Sequence, residues 1–330
     1  MIGKRGVSLL ETIVAIGVIA VLVAIALPAI QRARETARRT SCSSNLRQIL
    51  VSTHSFVSTE HSLPSLFNGK DLPYPLSVWD QFHAHSWRVP LLPYLELKSL
   101  ESQVVLDNLA TEPSNSKVAQ SVVATFICPS GMDPSVMGLG LRHEAVGLPL
   151  EQRSEQDYYS VVRADYDAMA GIHLVPDPIP PEWLPDNVES VRWGVWGRAN
   201  LDGKTVGGSQ ILSFQRGKFR DVRDGLSNTI AVVERGGRPI HLHEGTPYVT
   251  EDNPNADYLG QSGWLPSNSF QFAINGAGFG VNVSNVSGIY SLHPGGANVA
   301  LADGSVRFLS ESTSVDALAA FFGRSDGEIK

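Results

Sequence analysis

Two pairs of histidines carry the most obvious chemical potential in this sequence. His241 and His243 stand two residues apart just before Glu244, and His83 and His85 have the same spacing. Alternate residues of a strand share a face, so either pair has the spacing of two zinc ligands. No third ligand can be assigned to either pair, and isolated pairs of this kind are mostly surface histidines. The sequence therefore predicts neither a metal site nor a cofactor.

His293 and Asp303 are the next candidates, because an imidazole and a carboxylate can act as a general base and a general acid. No nucleophile motif, phosphate-binding loop, dinucleotide fingerprint or zinc-protease motif accompanies them in the sequence. Asp303 and Gly304 suit a tight turn, and His293 precedes a Pro-Gly-Gly sequence whose loop it can cap or hydrogen-bond. We therefore expect structural roles for these three residues, with no catalytic residue and no enzyme activity.

Glu11 is a carboxylate at the start of a long apolar segment. Thr12 to Ile30 gives 19 residues without a charge, and a helix of that length spans roughly 28 Å, about one hydrocarbon core. A secretory signal peptide has a shorter apolar region that ends in a cleavage site, and a plain membrane anchor has no need of an acid. A carboxylate in such a segment is costly, so its presence predicts a function.

The residues around Glu11 resemble a known processing signal. Lys4-Arg5-Gly6 followed by Val7-Ser8-Leu9-Leu10-Glu11 is similar to the prepilin signal of type IV pilins and type II secretion pseudopilins. The resemblance implies that a prepilin peptidase/methylase cuts after Gly6 and methylates the amine of Val7, where that family usually has Phe. It also implies that Glu11 pairs with the N-terminal amine of a neighbouring pilin-like subunit, since a buried charge is tolerated beside an opposite one.

Charges that follow the apolar segment predict the opposite topology. Two basic residues precede the segment, and five arginines follow it: Arg32, Arg34, Arg38, Arg39 and Arg47. The positive-inside rule alone would keep that side in the cytoplasm. The prepilin resemblance places it outside, and the remainder of the chain has an exported character. We therefore expect a single-pass protein in the lipid bilayer of the inner membrane, with its C-terminal domain in the periplasm or at the cell surface.

Hydropathy and charge divide the chain into four parts. We expect a leader at 1–6, a transmembrane and assembly helix at 7–30, an amphipathic helix at 31–58 and an exported globular α+β domain at 59–330. The chain has 26 Lys and Arg and 33 Asp and Glu, of which residues 1–47 hold seven and two, so the remainder has a net charge of −12. Such an acidic domain is not expected to bind nucleic acid.

The predicted amphipathic helix carries one of the two cysteines in the chain. Apolar residues recur every three or four positions from Cys42 to Val57, and this stripe needs a globular surface to cover it. The pattern predicts a single long helix, bent near Pro28 and ending near Ser58. Cys128 lies 86 residues after Cys42. Two distant cysteines in an exported protein suggest a disulfide, and two buried thiols are the alternative.

The C-terminal half has the pattern of an antiparallel sheet. Residues 229–234 form a predicted strand, and residues 297–309 form a predicted hairpin with Asp303-Gly304 as a two-residue type I′ turn. Five prolines between residues 166 and 187 predict a loop rather than a core element. The predicted hairpin register places four apolar side chains on one face: Val299, Leu301, Val306 and Phe308.

Short motifs spread over residues 5–310 resemble one bacterial family, the domain of unknown function 1559. They include Cys42-Ser43-Ser44-Asn45-Leu46 and Cys128-Pro129-Ser130. His293, nine further residues and then Asp303-Gly304 resemble the C-terminal H-X9-D-G motif of that family. The resemblance implies a pseudopilin-like exported protein for which no biochemical activity is established.

These patterns favour one fold and one function class, with one alternative. The predicted fold class is α+β and pilin-like, with a long N-terminal helix packed on an antiparallel β-sheet head with irregular loops. The predicted function is a structural or assembly role at the cell envelope or surface. The alternative is a membrane-anchored protein that binds an extracellular solute or glycan. Three aromatic residues could then stack on sugars, with burial in the core as the equal alternative for each: Trp183, Trp193 and Trp196.

Overall fold

The protein is described by a computed structural model for residues 9–69, 83–131, 137–142, 152, 154–168, 171–173, 191–206, 209–238, 240, 242–247, 263–267, 280–285 and 288–321. The fold class is α+β, as the sequence predicts. One long N-terminal helix packs on antiparallel sheets that are joined by irregular loops.

Helix α1 (Leu9–Glu60) is 52 residues long and runs through Pro28. Its first part is exposed from Leu9 to Ile30, whereas its second part buries a stripe against the head: Cys42, Leu46, Ile49, Leu50, Ser52, Thr53 and Phe56. His61 ends the helix in a left-handed conformation (φ 58°), and its N–H donates to the carbonyl of Val57 at 2.8 Å. This is a usual way to close a helix C-terminus, and it lies close to the predicted end.

The strands of the described residues are, in chain order, β1 (Phe67–Asn68), β2 (His85–Ser86), β3 (Met137–Leu141), β4 (Tyr158–Val162), β5 (Tyr166–Ala168), β6 (Gly171–His173), β7 (Val191–Trp193), β8 (Gly197–Val206), β9 (Ser209–Arg216), β10 (Ile230–Glu234), β11 (Leu242–His243), β12 (Thr246–Pro247), β13 (Gly296–Leu301) and β14 (Val306–Ser310). Short helices are α2 (Lys98–Glu101), α3 (Ser116–Ala119) and α4 (Val315–Ala320). Five two-stranded antiparallel pairs accompany a larger sheet: β1–β2, β3–β4, β6–β7, β8–β9 and β11–β12.

The larger sheet is antiparallel, has the order β14-β13-β10-β5 and forms the centre of the described head. On one face, Ala300 and Ala302 belong to the core that also contains the buried stripe of α1. On the other face, Val299 and Leu301 pack in a second core with Leu318 of α4. Because both faces are covered, β10 has a continuous apolar run rather than an alternating one. The strand predicted at residues 229–234 is confirmed as β10.

The hairpin formed by β13 and β14 has a longer turn than predicted. Ala300 pairs with Val306, so the loop contains three residues, 302–304, rather than two. The N–H of Gly304 donates to the carbonyl of Leu301 at 2.9 Å, and Gly304 adopts a φ of 89°. This geometry is typical of a type I turn followed by a left-handed residue. The hairpin is therefore present, but the two-residue turn is wrong.

The change in the turn reverses the faces of β14, because a shift of one residue moves each side chain to the other side of a strand. Val306 packs against the core that contains α1. The guanidinium carbon of Arg39 in α1 lies 3.2 Å from the ring centre of Phe308. Leu309 instead joins Val299 in the second core. The prediction of one apolar face shared by both strands is wrong.

The segment predicted as a proline-rich loop contributes to the sheet. Tyr166 and Ala168 are buried in β5, which pairs with β10. The predicted loop therefore begins too early. Its prolines lie outside the described residues: Pro176, Pro178, Pro180, Pro181 and Pro185.

Candidate functional site

The apolar N-terminal part of α1 is the first candidate site. Gly6 and Val7 lie outside the described residues, and Glu11 lies in the first turn of the helix. An 18-residue stretch of α1 has a mean hydropathy of 3.0, and none of it is buried. By length and composition, this helix can cross a membrane, and a signal sequence would meet the same criteria.

A disulfide joins the second part of α1 to the head. Cys42 and Cys128 are bonded, with their Cα atoms 5.2 Å apart and a sequence separation of 86 residues. Both residues are buried, and the Cα distance lies in the usual range for such a bond. The disulfide fixes one point of the helix against the loop that carries Cys128.

Two hydrogen bonds also hold α1 to the head, and both come from residues within the range of the buried stripe. The Nδ2 atom of Asn45 donates to the carbonyl of Ile127 at 3.0 Å. Further along the helix, the Nε2 atom of His54 lies 2.8 Å from the carbonyl oxygen of Ala302 in the hairpin loop. Together with the disulfide, these contacts fix both the position and the rotation of the helix on the head.

His293 makes a further contact with α1. Its Nδ1 atom lies 2.6 Å from Oε1 of Glu35, and the hydroxyl of Ser130 donates to the same carboxylate oxygen at 3.1 Å. The loop before β13 is instead held by Ser291, whose hydroxyl donates to the carbonyl of Gly296 and accepts from the N–H of His293. The expected hydrogen bond of His293 within its own loop is therefore made by its main-chain N–H only, whereas its side chain binds the helix.

The other ring nitrogen of His293 faces the interior of the head. Its Nε2 atom lies 3.5 Å from Sγ of Cys128 and 3.5 Å from Oε1 of Glu234. Glu234 is itself held by Asn298, whose main-chain N–H and side-chain amide donate to the carboxylate at 2.6 and 2.9 Å. The imidazole thus lies between two carboxylates, in a position that favours a proton or another cation.

The electrostatics of His293 follow from this position. Burial alone lowers the pKa of an imidazole, because it disfavours the charged form. Two carboxylates outweigh burial and raise the pKa of His293 above its ordinary value. Glu234 has the larger effect, through a hydrogen bond and its negative charge, and Glu35 acts in the same two ways.

Asp303 and Gly304, the other half of the H-X9-D-G motif, form the hairpin turn. One carboxylate oxygen of Asp303 accepts hydrogen bonds from the N–H and the hydroxyl of Ser305, at 2.8 and 2.7 Å. Burial opposes ionisation, but these bonds outweigh it and lower the pKa of the Asp303 carboxyl. Asp303 is exposed whereas His293 is buried, so the two halves of the motif hold different parts of the fold.

The histidine pairs have structural contacts where they are described. His83 and His85 are buried rather than on the surface. The Nδ1 atom of His83 lies 3.0 Å from the hydroxyl of Thr111, and the Nε2 atom of His85 lies 2.9 Å from the carbonyl of Asn108. Both rings therefore hold the loop at residues 108–111. In the other pair, His243 is exposed and His241 lies outside the described residues.

Buried charges form a network that the sequence did not reveal. Asp167 is fully buried and accepts hydrogen bonds from Arg88, Arg235 and Arg238 at 2.5, 2.7 and 2.8 Å. Burial, and then repulsion from Arg238, lower the pKa of Arg235 to about 9, although Asp167 opposes this change. These side chains link β5 to the residues that follow β10 and to the segment that carries Arg88.

One of the three candidate sugar-binding aromatic residues, Trp196, lies in the core of the head. Trp196 is fully buried and donates from Nε1 to the carbonyl of Ala231 at 2.5 Å. Its ring packs against that of Trp87, with ring centres 4.9 Å apart. Trp193 lies in β7, and Trp183 lies outside the described residues. Trp196 is therefore a core residue, which is one of the two roles that the sequence left open for it, and it does not form a stacking platform.

Sequence reasoning missed Glu35, Glu234 and Asn298. A signal for Glu35 was present, because it is the only acid between residues 31 and 59, within an arginine-rich stretch. Glu234 is the last residue of a strand whose other residues are apolar, so the sequence predicts an ordinary strand end at this position. Nothing in its local pattern indicates a buried carboxylate.

Comparison with known families gives the class of this protein. The family described as Protein of unknown function (DUF1559) has a model that matches residues 31–316. The chain therefore belongs to this family. Membership, together with the apolar N-terminal helix, indicates an exported, membrane-anchored protein. No curated protein and no solved structure shows significant similarity to the chain.

Proposed function

We propose that this protein is a pilin-like structural subunit of the cell envelope, cut after Gly6 and anchored in the inner membrane by α1. The supporting observation is that α1 is apolar and exposed from Leu9 to Ile30 and carries Glu11 in its first turn. An apolar surface of this extent requires lipid or other helices to cover it. Its partners are then the bilayer, a prepilin peptidase/methylase and other pilin-like subunits, and its acidic head lies outside the cytoplasm.

The way in which the head is attached to α1 supports this assembly role. The second part of the helix is held by the disulfide at Cys42, the Glu35–His293 contact and the hydrogen bonds of Asn45 and His54. Because the helix is fixed at several points, packing of its apolar part against another subunit would set the position of the head. A structural role of this kind requires no catalytic group.

Mass spectrometry of the mature N-terminus tests the processing step. We expect the chain to begin at Val7 with a methylated amine, because the residues around Gly6 resemble a prepilin signal. A Gly6→Leu variant should retain the leader, since the residue at the cut is changed. Uncut Met1 in the natural protein, or a cut elsewhere, would overturn the proposal.

Cross-linking in membranes tests the assembly role of Glu11. Glu11→Ala should reduce cross-links between α1 and pilin-like partners, because the amine of the neighbouring subunit loses its counter-charge. Glu60→Ala is the matched control, since Glu60 is an exposed acid at the other end of the same helix. Equal cross-linking by both variants and the natural protein would show that Glu11 does not pair.

One observation favours the alternative function of solute or glycan binding. An open cleft of 430 Å³ lies beside His293 and combines apolar and polar lining residues, among them Tyr290, Asn282, Glu244 and Glu311. This mixture suits a hydroxylated ligand. Titration calorimetry of the full chain in detergent with soluble oligosaccharides would detect such binding. Heat that disappears in Glu311→Ala would support the alternative, and no heat with any sugar would reject it.

A further inference from the structure

Four side chains with metal-binding chemistry converge beneath the junction of helix and head. Cys42, Cys128, Glu234 and His293 place their ligand atoms within 4.8 Å of one another, and all four residues are buried. Thiolate, imidazole and carboxylate are the ligands that zinc takes in proteins. Since these residues come from α1, β10 and two separate loops, only the folded head brings them together.

The distances already match part of a tetrahedral site. The Nε2 atom of His293 lies 3.5 Å from Sγ of Cys128 and 3.5 Å from Oε1 of Glu234. Zinc bonds of about 2.3 Å to sulfur and about 2.0 Å to nitrogen or oxygen place neighbouring ligand atoms roughly 3.3–3.8 Å apart. Imidazole and carboxylate therefore need little movement, and reduction of the disulfide frees the second sulfur to take the same spacing.

Hydrogen-bond partners from outside this group hold two of its four side chains in place. Glu35 lies 2.6 Å from Nδ1 of His293, and a carboxylate at this nitrogen fixes the tautomer that leaves Nε2 free to bind a metal. Asn298 donates two hydrogen bonds to Glu234 and so fixes its orientation. Glu35 therefore orients His293 and Asn298 orients Glu234, as outer hydrogen-bond partners orient the ligands of a metal site.

The geometry points to a zinc site in the dithiol form of this protein, made by the two cysteine thiolates, His293 and Glu234. This goes beyond the proposed envelope role and does not depend on it. A reducing dithiol protein transfers two electrons and two protons to the Cys42–Cys128 disulfide and is itself oxidised to a disulfide. Zn²⁺ then displaces the two thiol protons, which pass to solvent. A protein disulfide that reoxidises the cysteines accepts their two electrons together with two protons from solvent, becomes a dithiol and so releases the ion.

The consequence is that one position joins helix and head in two chemical states. In the oxidised state, the disulfide holds α1 to the head. In the reduced state, zinc makes the same connection through Cys42 on the helix and its three partners on the head. A chain that has not yet been oxidised would keep this junction in place.

Metal binding by the full-length chain in detergent tests the inference. The protein is prepared oxidised, or reduced with a phosphine under anaerobic conditions, then mixed with zinc chloride, desalted and analysed for metal. We expect stoichiometric zinc in the reduced protein and almost none in the oxidised protein. Cobalt should give the thiolate charge-transfer and tetrahedral ligand-field bands of a thiolate site in the reduced protein only. Equal metal content in both states would overturn the inference.

Variants separate the proposed ligands from other histidines and acids. His293→Ala and Glu234→Gln should each weaken zinc binding by at least about tenfold, and Glu35→Gln by about 10–100-fold because it orients a ligand. His243→Ala is the matched control, since this histidine is exposed on β11, and it should bind zinc as the natural chain does. Unchanged affinity in His293→Ala would overturn the assignment.

Protease resistance keeps the test decisive if reduction loosens the fold. We expect zinc to restore to the reduced chain the resistance that the disulfide gives to the oxidised chain. EDTA should remove this protection from the reduced chain and leave the oxidised chain unchanged. A reduced chain that zinc neither binds nor protects would refute the site.

Discussion

Removal of the Cys42–Cys128 disulfide should cost the head a large part of its stability. The bond closes a loop with a sequence separation of 86 residues, and the chain-entropy relation gives roughly 4–5 kcal/mol for a loop of this length. Because a typical domain is stable by about 5–15 kcal/mol, the Cys42→Ala/Cys128→Ala double variant should fold only marginally. The effect arises mainly in the unfolded chain, whose freedom the bond restricts.

Urea unfolding of the full chain in detergent measures this effect. Buried Trp87, Trp196 and Trp264 give the fluorescence signal. With a slope of about 2–3 kcal/mol per molar urea, the midpoint should fall by about 2 M in the double variant. Reduced natural protein in EDTA retains both sulfur atoms and should fall by a similar amount. Equal midpoints for oxidised and reduced protein would refute the reasoning.

Three further predictions concern single residues of the head. Burial lowers the pKa of His85, although hydrogen bonds to main-chain carbonyls oppose this change, so the unfolded chain binds more protons than the folded chain as the pH falls through 6.5. The contribution of His85 to the free energy of unfolding is therefore complete above pH 6.5 and is lost as the pH falls below it. His85→Gln should flatten the acid side of a melting-temperature profile. Gly296→Ala places a Cβ 2.0 Å from a carbonyl oxygen, so the free energy of unfolding in urea should fall by about 3 kcal/mol or more. In Gly304→Ala the added Cβ meets no atom within 4 Å, so the same free energy should fall by only about 1 kcal/mol. Trp196→Phe removes the donor to the carbonyl of Ala231 and should cost about 2 kcal/mol or more in the same assay.

Each of these predictions has an outcome that would contradict it. An acid slope that is identical in His85→Gln and the natural protein would show that the ring is not buried in neutral form. Equal losses for Gly296→Ala and Gly304→Ala would show that the adjacent strand does not approach as closely as 2.0 Å to the added carbon. An unchanged midpoint for Trp196→Phe would mean that the Ala231 carbonyl finds another donor.

Local periodicity made the main elements of this fold predictable. The buried stripe from Cys42 to Phe56 follows the helical period and defines how α1 meets the head. The apolar run of β10 predicted a strand, and the turn residues Asp303 and Gly304 predicted the hairpin that pairs with it in the sheet. The register remained unpredictable, because Asp-Gly fits loops of two and of three residues. Packing of Val306 against the core with α1 decides between them.

The candidate site was less predictable, because its contacts join residues far apart in sequence. Glu35 and His293 are separated by 258 residues, and no local pattern links them. The two cysteines were recognisable because they are the only pair in the chain. The buried network around Asp167 gave no signal at all, since a charged residue in a strand normally indicates a solvent-exposed face.

The order of attachments along α1 has a mechanical consequence. A helix of 52 residues is about 78 Å long. The Glu35 attachment precedes the buried stripe, which begins at Cys42 and continues to Phe56. A pull transmitted along the helix from the membrane therefore loads the Glu35–His293 contact first, the Arg39–Phe308 contact second and the covalent bond at Cys42 third. The non-covalent packing beyond Cys42 is shielded from that force. In the oxidised form, tension along α1 therefore does not separate the head from the helix.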